Sequence, residues 1–578
     1  MDLKQFERVA TVAGYDNTVD ITKRYFAPVL GTTLLLTFLI PLFIDLPWYG
    51  SLIVFFVGLI FTVSYPFIKY QEMKKSVNTN LHYFITYAGT LSTVRVPRVV
   101  LFKNISENQN FGHISSVFKK INYLAKDWTL GFAKATREMS SRVPSAILGD
   151  FLDRFAVALD FGQDLEVFLD EEQTSIMEDF RVEYEQSLET IKLLQDTFIA
   201  LSVSFSFVLG ITLLAPLLLE TPLEAILPYA IGFILFVDIG LIVSVRNYVP
   251  TDDLVSQIDK YSREEEEIFY AFWLTTAACT LIFMLLQLLL NLNLLLTLAI
   301  SITPLVYPGY LVMIHEEKVK KRDKQFPVFA RVLGNAIEVK DGAVVSALKS
   351  TQVHDFGALD DISVRLYKRL RMGNDRWKSW DYFMLESGSN LIANFGRIFA
   401  ESIYLGGNSQ KIGEIVSKNS QELLSLRKLR MQLANGLRGA FYGTLVGLSS
   451  VIYITAKISQ LLVDIFNQPL GVEGTEFNFA TNILPAAESI NFETVLLYIA
   501  ILVIIHSASS SIIMKVIDGG SWYGAVVDFI IMIWIGAMLE TFLPVLVDGL
   551  LPDITEFEVN ETNTSASVDT PSVDSPEV

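Results

Sequence analysis

The chain has 578 residues, of which 51% are hydrophobic and 19% are charged, and its formal net charge is −18. The mean hydropathy of +0.41 and several long apolar runs exclude an ordinary soluble domain, because a membrane-spanning helix needs about 20 consecutive apolar residues. With one cysteine, Cys279, the chain cannot form an intramolecular disulfide, and we expect this thiol to be a small buried apolar side chain.

Residues 1–25 form a polar leader that lacks the short apolar core and cleavage site of a secretory signal peptide. Nine apolar runs follow. Each is predicted to be a transmembrane helix, because a backbone in lipid must satisfy its own hydrogen bonds. The predicted spans lie near residues 26–44, 50–68, 197–219, 223–245, 268–290, 294–313, 440–463, 494–513 and 522–547.

The distribution of Lys and Arg predicts the orientation of the spans. Residues 44–49, 220–224, 291–293 and 464–493 connect alternate spans and contain no Lys or Arg, and neither does the tail after Pro552. We therefore place the N-terminus in the cytoplasm and the C-terminus outside the cell. The predicted organisation is a cytoplasmic leader at 1–25, spans at 26–68, a first cytoplasmic bundle at 69–196, spans at 197–313, a second cytoplasmic bundle at 314–439, spans at 440–547 and an acidic, disordered extracellular tail at 548–578. Two sequons in the tail make Asn560 and Asn563 candidate N-glycosylation sites.

The chain contains an internal repeat. FITYAGTLSTV at 84–94 aligns with FARVLGNAIEV at 329–339, and RFAVALDFG at 154–162 aligns with RIFAESIYLGG at 397–407. In both long segments apolar residues recur at three- and four-residue steps, and strand signals are scarce. We predict an all-α polytopic membrane protein with nine transmembrane helices and two duplicated helical bundles.

Local signals add detail to the bundles. Ser145 and Asp150 are candidate helix caps, and Gly162 and its counterpart Gly406 are expected to end helices in left-handed turns. No phosphate-binding glycine loop, dinucleotide motif, zinc-protease motif or serine elbow is present. The five histidines show no metal-ligand spacing. We predict no enzyme activity and no cofactor.

The stretch FAVALDFGQDLEVFLDEEQ at 155–173 carries six carboxylates. On a helix, Glu166, Asp170 and Glu172 share one side, which is typical of a solvated face and also suits the docking of a partner. Catalysis is disfavoured, because the second copy drops most of these acids and has Asn408 where the first has Asp164.

Two basic stretches distinguish the second bundle. KVKKRDK at 318–324 directly follows a span and is predicted to attract anionic lipid. KRLRMGNDRWK at 368–378 is far from the nearest span and is interpreted as a protein-binding surface. Nucleic acid is disfavoured, because the chain is acidic overall and lacks a reading motif.

Within the spans, Gly439, Gly443 and Gly447 form a GxxxGxxxG pattern that allows close helix packing, either within one molecule or in a homodimer. Ionisable residues inside spans raise the hypothesis of transport or a proton relay. Partial hydration near the ends of the spans is the alternative. These residues are Asp238, His506 and Asp528.

Together these residues resemble the type II secretion F-domain (GspF/TadC-like) family of membrane platform proteins, over about residues 80–545. The first copy carries the resemblance in LAKDWTLGFAKATREMSSRVPSAILGDFLDRF and FGQDLEVFLDEE. The second, in FPVFARVLGNAIEVKDG and ESIYLGGNSQKIGEIV, is similar to the archaellum branch. The resemblance implies an F-domain signature at Phe155, Gly162, Asp164, Leu165, Phe399, Gly406 and Gly407.

The resemblance implies a non-enzymatic platform in the archaeal cell membrane that links a hexameric, FlaI-like secretion ATPase to pilin-like archaellin subunits. A platform of an adhesive type IV pilus is the close alternative, and a secondary transporter is a more distant one, since paired mid-span breaks are absent. We expect ATPase docking at Arg365, Lys368, Arg369, Arg371, Asp164 and Glu166.

Overall fold

The computed structural model describes residues 31, 48–94, 97–214, 223–250, 252–256, 263–289, 293–467 and 492–550. These residues are helical and contain no strand beyond one isolated antiparallel bridge, between Val255 and Ser389. The predicted all-α class is therefore confirmed for the described part of the chain. The predicted sequons at Asn560 and Asn563 lie outside it.

Up to residue 289, the described residues form eight α-helices. They are α1 (Trp48–Ser92), α2 (Arg98–Glu107), α3 (His113–Lys126), α4 (Phe132–Ser140), α5 (Ala146–Phe161), α6 (Leu165–Leu214), α7 (Leu223–Tyr248) and α8 (Arg263–Leu289).

Nine more α-helices follow within the described ranges 293–467 and 492–550. They are α9 (Leu294–Ile302), α10 (Val306–Val339), α11 (Val344–Thr351), α12 (Asp360–Arg371), α13 (Arg376–Ser387), α14 (Asn390–Tyr404), α15 (Ser409–Asn467), α16 (Phe492–Asp518) and α17 (Ala525–Leu550). Short 3-10 turns at Gln109–Phe111, Thr303–Leu305, Gly357–Leu359 and Trp522–Gly524 connect some of them.

Seven helices among the described residues are long and apolar enough to cross a membrane. They correspond to the third to ninth predicted spans. The second predicted span, 50–68, lies within α1, and the first, 26–44, lies outside the described residues except for Gly31. The protein is thus a multi-pass membrane protein, while the count of nine spans and the orientation of the termini stay predictions.

Four helices are too long for a span alone. α1 has 45 residues, α6 has 50, α10 has 34 and α15 has 59. Each joins a polar amphipathic part to an apolar part without a break. The bundle boundaries that the sequence predicts at 196, 313 and 439 therefore fall inside continuous helices, so that a bundle and its span share one rigid element.

Helix ends follow local chemistry. Ser145 caps α5, and its side chain accepts a hydrogen bond from the Leu148 amide. Asp150 is not a cap, because the helix already begins at Ala146, and that expectation was wrong. Gly162 and Gly406 have φ of +69° and +87°, so both occupy the left-handed conformation that was predicted.

One apolar core runs through the two segments that the sequence predicts to be bundles, 69–196 and 314–439, and these segments are called the first and second bundle below. In the first, Phe102 stacks on Phe155 at 5.4 Å, and Phe155 stacks on Phe168 at 5.6 Å. In the second, α10 crosses α15 at Gly334, where an added Cβ would lie 2.6 Å from the Ser409 carbonyl oxygen. Only glycine allows this approach.

Polar contacts join the two bundles. The Asn419 side chain donates to Thr86 Oγ1 at 2.7 Å and accepts from Gln173 at 3.2 Å. Ser402 donates to Thr90 at 2.8 Å in the same buried interface. The bundles therefore pack as one body around α6 and α15.

Candidate functional site

The F-domain residues implied by the resemblance are mainly architectural. Phe155 and Phe399 are each 1% exposed and fill the two bundle cores. A Cβ at Gly407 would lie 2.8 Å from Thr93 Oγ1, so this glycine permits the contact between the second turn and the end of α1. Leu165 begins α6 and packs partly buried against the core.

The acidic stretch is mostly engaged within the molecule. Glu172 is only 8% exposed and accepts two hydrogen bonds from Arg154, both at 2.7 Å. The expectation that Glu172 belongs to a solvated face was therefore wrong, because Arg154 compensates its burial. Asp164 accepts from the Glu166 amide at 2.8 Å and shapes the start of α6.

Glu166 links the two bundles. Its carboxylate accepts a hydrogen bond from the Lys411 ammonium group at 2.6 Å, and Lys411 lies in the first turns of α15. This pair brings the turns at Gly162 and Gly406 to the same end of the molecule. Both turns therefore contribute to one surface.

The four predicted basic docking residues separate into two pairs. Arg365 and Arg369 both donate to the Glu386 carboxylate, Arg365 at 2.8 Å. Burial acts to raise the pKa of Glu386, but the two guanidinium groups outweigh it and hold that pKa below its usual range. Lys368 and Arg371 are exposed on the same helix. These two offer the more accessible charge for a partner.

The predicted packing glycines do not pack within the described molecule. A Cβ added at Gly439, Gly443 or Gly447 would meet no atom within 4 Å. Internal packing of this face is thus not observed among the described residues, and its role in a homodimer stays a prediction.

The predicted intramembrane residues are paired. Asp238 and His506 are each 1% exposed, and Asp238 Oδ1 lies 3.6 Å from His506 Nδ1. Asp528 accepts a hydrogen bond from the Tyr442 hydroxyl at 2.6 Å and lies 3.4 Å from Arg438 Nε. The structure therefore does not join the three residues into one group.

A buried arginine site that the sequence did not reveal lies where the bundles meet the spans. Arg427 of α15 donates to both carboxylate oxygens of Asp252, at 2.5 and 2.6 Å, and to Asp323 at 2.8 Å. Arg427 is 9% exposed and Asp323 is 1% exposed. Burial acts to raise the pKa of Asp252, but the charge of Arg427 outweighs it and keeps that pKa below its ordinary value.

Arg430, one turn further along α15, binds main-chain oxygen atoms. It donates to the carbonyl oxygens of Pro250 and Asp252, which follow α7, at 3.1 and 3.2 Å. It also donates to those of Val516 and Ile517, at the end of α16, at 3.1 and 2.6 Å. One side chain therefore fixes two inter-helix turns to α15.

The segment after α7 also pairs with the second bundle. The Ser256 amide donates to the Gly388 carbonyl at 3.0 Å, and the Asn390 amide donates to the Leu254 carbonyl at 3.2 Å. Ser389 in turn donates to Asp323. The turn before α14 is thereby attached to the segment that leaves α7.

We define the bundle–span clamp as Arg427, Arg430, Asp252, Asp323 and the paired segments 252–256 and 388–390. Separations such as the 175 residues between Arg427 and Asp252 put these contacts beyond any local sequence pattern. Two signals could have suggested them, namely arginines three residues apart ahead of a span and the acidic pair 252–253 just after one.

These features define a class, a multi-pass helical membrane protein whose long helices continue from polar bundles into apolar spans. The family described as "Type II secretion system (T2SS), protein F" matches residues 84–213. Flagella accessory protein J of Methanocaldococcus jannaschii is 31% identical over 545 residues, which cover 92% of this chain and 96% of that protein. The chain therefore belongs to the flagella accessory protein J family.

Two further relatives match this chain over part or most of its length. Flagella accessory protein J of Methanococcus voltae is 28% identical over 499 residues, covering 85% of this chain and 88% of that protein. An uncharacterized protein of Methanocaldococcus jannaschii is 23% identical over 144 residues, about a quarter of each chain. No solved structure matches the chain significantly. The family is one of membrane platform proteins.

Proposed function

We propose that this protein is the membrane platform of an archaellum, which passes movement of a cytoplasmic secretion ATPase to pilin-like archaellin subunits in the membrane. Family membership supports a membrane platform of an archaeal flagellum or a secretion-like system. The coupling to an ATPase is our inference, and it rests on the bundle–span clamp.

The clamp supports coupling because it joins α15 to the segment after α7 and to the end of α16. The covalent chain alone would let these elements move independently. α15 is one helix through the second bundle and a span. Arg427 and Arg430 attach to it the segment that follows α7 and the end of α16. A displacement of the bundle is then carried to three spans as one body, rather than absorbed in flexible turns.

The motor is expected to dock at the end of the molecule that holds the Gly162 and Gly406 turns, which the Glu166–Lys411 pair brings together. Exposed basic charge at Lys368 and Arg371 favours an acidic partner surface. With the N-terminus in the cytoplasm, this end lies on the cytoplasmic side of the membrane.

The docking step is tested by capture of the host's secretion ATPase on the detergent-solubilised full chain. The Lys368→Glu, Arg371→Glu double variant should bind the ATPase at least about tenfold more weakly, a change of about 1.4 kcal/mol. Lys349→Glu, at an exposed lysine of α11, is the matched control and should bind normally. Unchanged binding of the double variant would refute the docking assignment.

The coupling step needs a separate measurement. Arg427→Lys keeps a positive charge but loses the bidentate contact with Asp252. It should leave ATPase capture intact while cells make few filaments and swim poorly. Normal filaments and swimming would show that the clamp carries no motion. A loss of ATPase capture would instead mean that the bundle itself has been disturbed.

A further inference from the structure

A line of polar side chains crosses the membrane part of α15. These five residues recur at four- and seven-residue steps, so they lie along one side of the helix. Three of them have a described partner on α17, and the first of the five also pairs with Asp518 of α16. The five residues are Arg438, Tyr442, Ser449, Tyr453 and Lys457. So many polar groups inside a span are costly without a role or a partner.

Both ends of this line are electrically compensated. Near the beginning of α17, Asp528 has Arg438 and Tyr442 as partners. Near its other end, Asp548 lies 3.0 Å from the Lys457 ammonium group. These acids therefore have a cation at hand and can remain ionised.

Glu540 lies between these two pairs and differs from them. It is 7% exposed, and its Oε2 accepts no hydrogen bond from the described residues. It is 15 residues after the start of α17 and 10 before its end, so about 15 Å of helix separates it from the nearer end. Among the described residues no Lys, Arg or His forms an ion pair with it.

The groups around Glu540 are polar but uncharged. Tyr453 is 1% exposed and interacts electrostatically with Glu540. The Tyr453 hydroxyl and the buried Ser449 hydroxyl have no hydrogen-bond partner among the described residues. Three unpartnered, buried polar groups along one interface form a site that suits a small hydrogen-bonding species rather than lipid.

The other helices packed on α17 bring no counter-charge to this level. α9 contains no titratable residue. α10 approaches at Gly309 against Val527, one residue from Asp528. α16 approaches at Val503 against Gly536, and its His506 and Lys515 are paired with Asp238 and Glu316. The remaining titratable residues of α16 are Glu493, Tyr498 and Asp518.

We propose that Glu540 is a proton-binding site inside the membrane bundle, with the buried hydroxyl-bearing ring of Tyr453 as its polar neighbour. An ionised carboxylate without a cation is unfavourable in hydrocarbon, whereas the protonated acid is neutral. Release of the proton to water gives the carboxylate and places one negative charge between α15 and α17. The protonation state of Glu540 thereby sets how closely these two spans pack, independently of whether an ATPase docks on the bundles.

The test is labelling of the full chain in membranes with dicyclohexylcarbodiimide, which modifies protonated carboxyl groups in apolar surroundings. Mass spectrometry should find the adduct on Glu540 and little on Asp528 or Asp548. Labelling should fall at least about tenfold as the pH rises from about 6 to about 9. Glu540→Gln should remove the adduct.

Tyr453→Phe separates a proton site from simple packing. It keeps the ring and removes the hydroxyl, so the pH at which labelling is half-maximal should move. The wild-type measurement needs no substitution and cannot be lost to misfolding. Labelling at Glu540 that is absent, independent of pH, or no stronger than at Asp528 would overturn the proposal, as would an unchanged midpoint in Tyr453→Phe.

Discussion

Replacing Arg427 by Met should destabilise the protein far more than replacing an ordinary surface arginine. The substitution keeps a long side chain but removes the charge between Asp252 and Asp323, whose side chains are 6% and 2% exposed. At such exposure solvent screens little. Removal of one partner of a buried ion pair leaves an uncompensated charge and costs about 3–5 kcal/mol.

The assay is unfolding of the purified full chain in detergent, followed by helical circular dichroism. Arg181→Met is the matched control, because Arg181 is 47% exposed, pairs with Glu185 within one helix and lies 3.8 Å from the half-buried Glu422 of α15. An exposed pair of this kind contributes about 0.3–0.5 kcal/mol. We expect the Arg427 variant to be destabilised several-fold more than the Arg181 variant.

A double-mutant cycle sharpens this measurement. Asp252→Asn combined with Arg427→Met should cost less than the sum of the single substitutions, because each single variant leaves the other charge unpaired. If Arg427→Met costs no more than Arg181→Met, or if the two effects simply add, Arg427 and Asp252 do not form the buried pair on which the clamp depends.

Three further predictions follow from single positions. His82 is fully buried among aromatic rings, and burial lowers its pKa to about 4. The stability that neutral His82 contributes above the unfolded pKa of 6.5 should therefore be lost as the pH falls from 6.5 toward 4. In pH-dependent unfolding, His82→Phe should reduce this loss of stability by up to about 3 kcal/mol, and an unchanged pH profile would contradict the burial of His82 as its cause. Gly334→Val should separate α10 from α15, because the Cβ has no room beside Ser409. It should lower the free energy of unfolding by about 1–3 kcal/mol. Wild-type stability in this variant would show that the two helices do not cross so closely. Gly443→Ile should leave the stability of the monomer unchanged, because the surroundings of Gly443 are open. If the glycine face of α15 joins two copies, the same substitution should abolish chemical cross-linking of the dimer. Undiminished cross-linking would refute the dimer prediction.

Sequence patterns predicted the parts of this fold that depend on local physics. Seven apolar runs were located because hydropathy and length alone determine whether a helix can cross a membrane. The left-handed turn at Gly162 was found because a glycine follows an amphipathic run. Both features are properties of a short stretch of chain.

The candidate site was less predictable, because it depends on partners that are distant in sequence. Composition shows that Arg365 and Arg369 are basic, but not that Glu386 binds both. Likewise, Asp323 lies within the basic stretch 318–324, which was predicted to attract lipid, but its side chain is buried in an ion pair with Arg427. A one-dimensional pattern gives the charge of a side chain but not its tertiary neighbour.

The most direct test of coupling is a covalent link across the clamp. Val255 and Ser389 form an antiparallel bridge between the segment after α7 and the turn before α14. A Val255→Cys, Ser389→Cys chain, with Cys279→Ala to remove the native thiol, should swim as well with the disulfide formed as it does under reductant, because the two segments move as one body. The reduced chain is the control for loss of the hydrogen bond from the Ser389 hydroxyl to Asp323. Swimming that stops on oxidation and returns with reductant would show that the segments must separate, and would contradict the proposed rigid coupling.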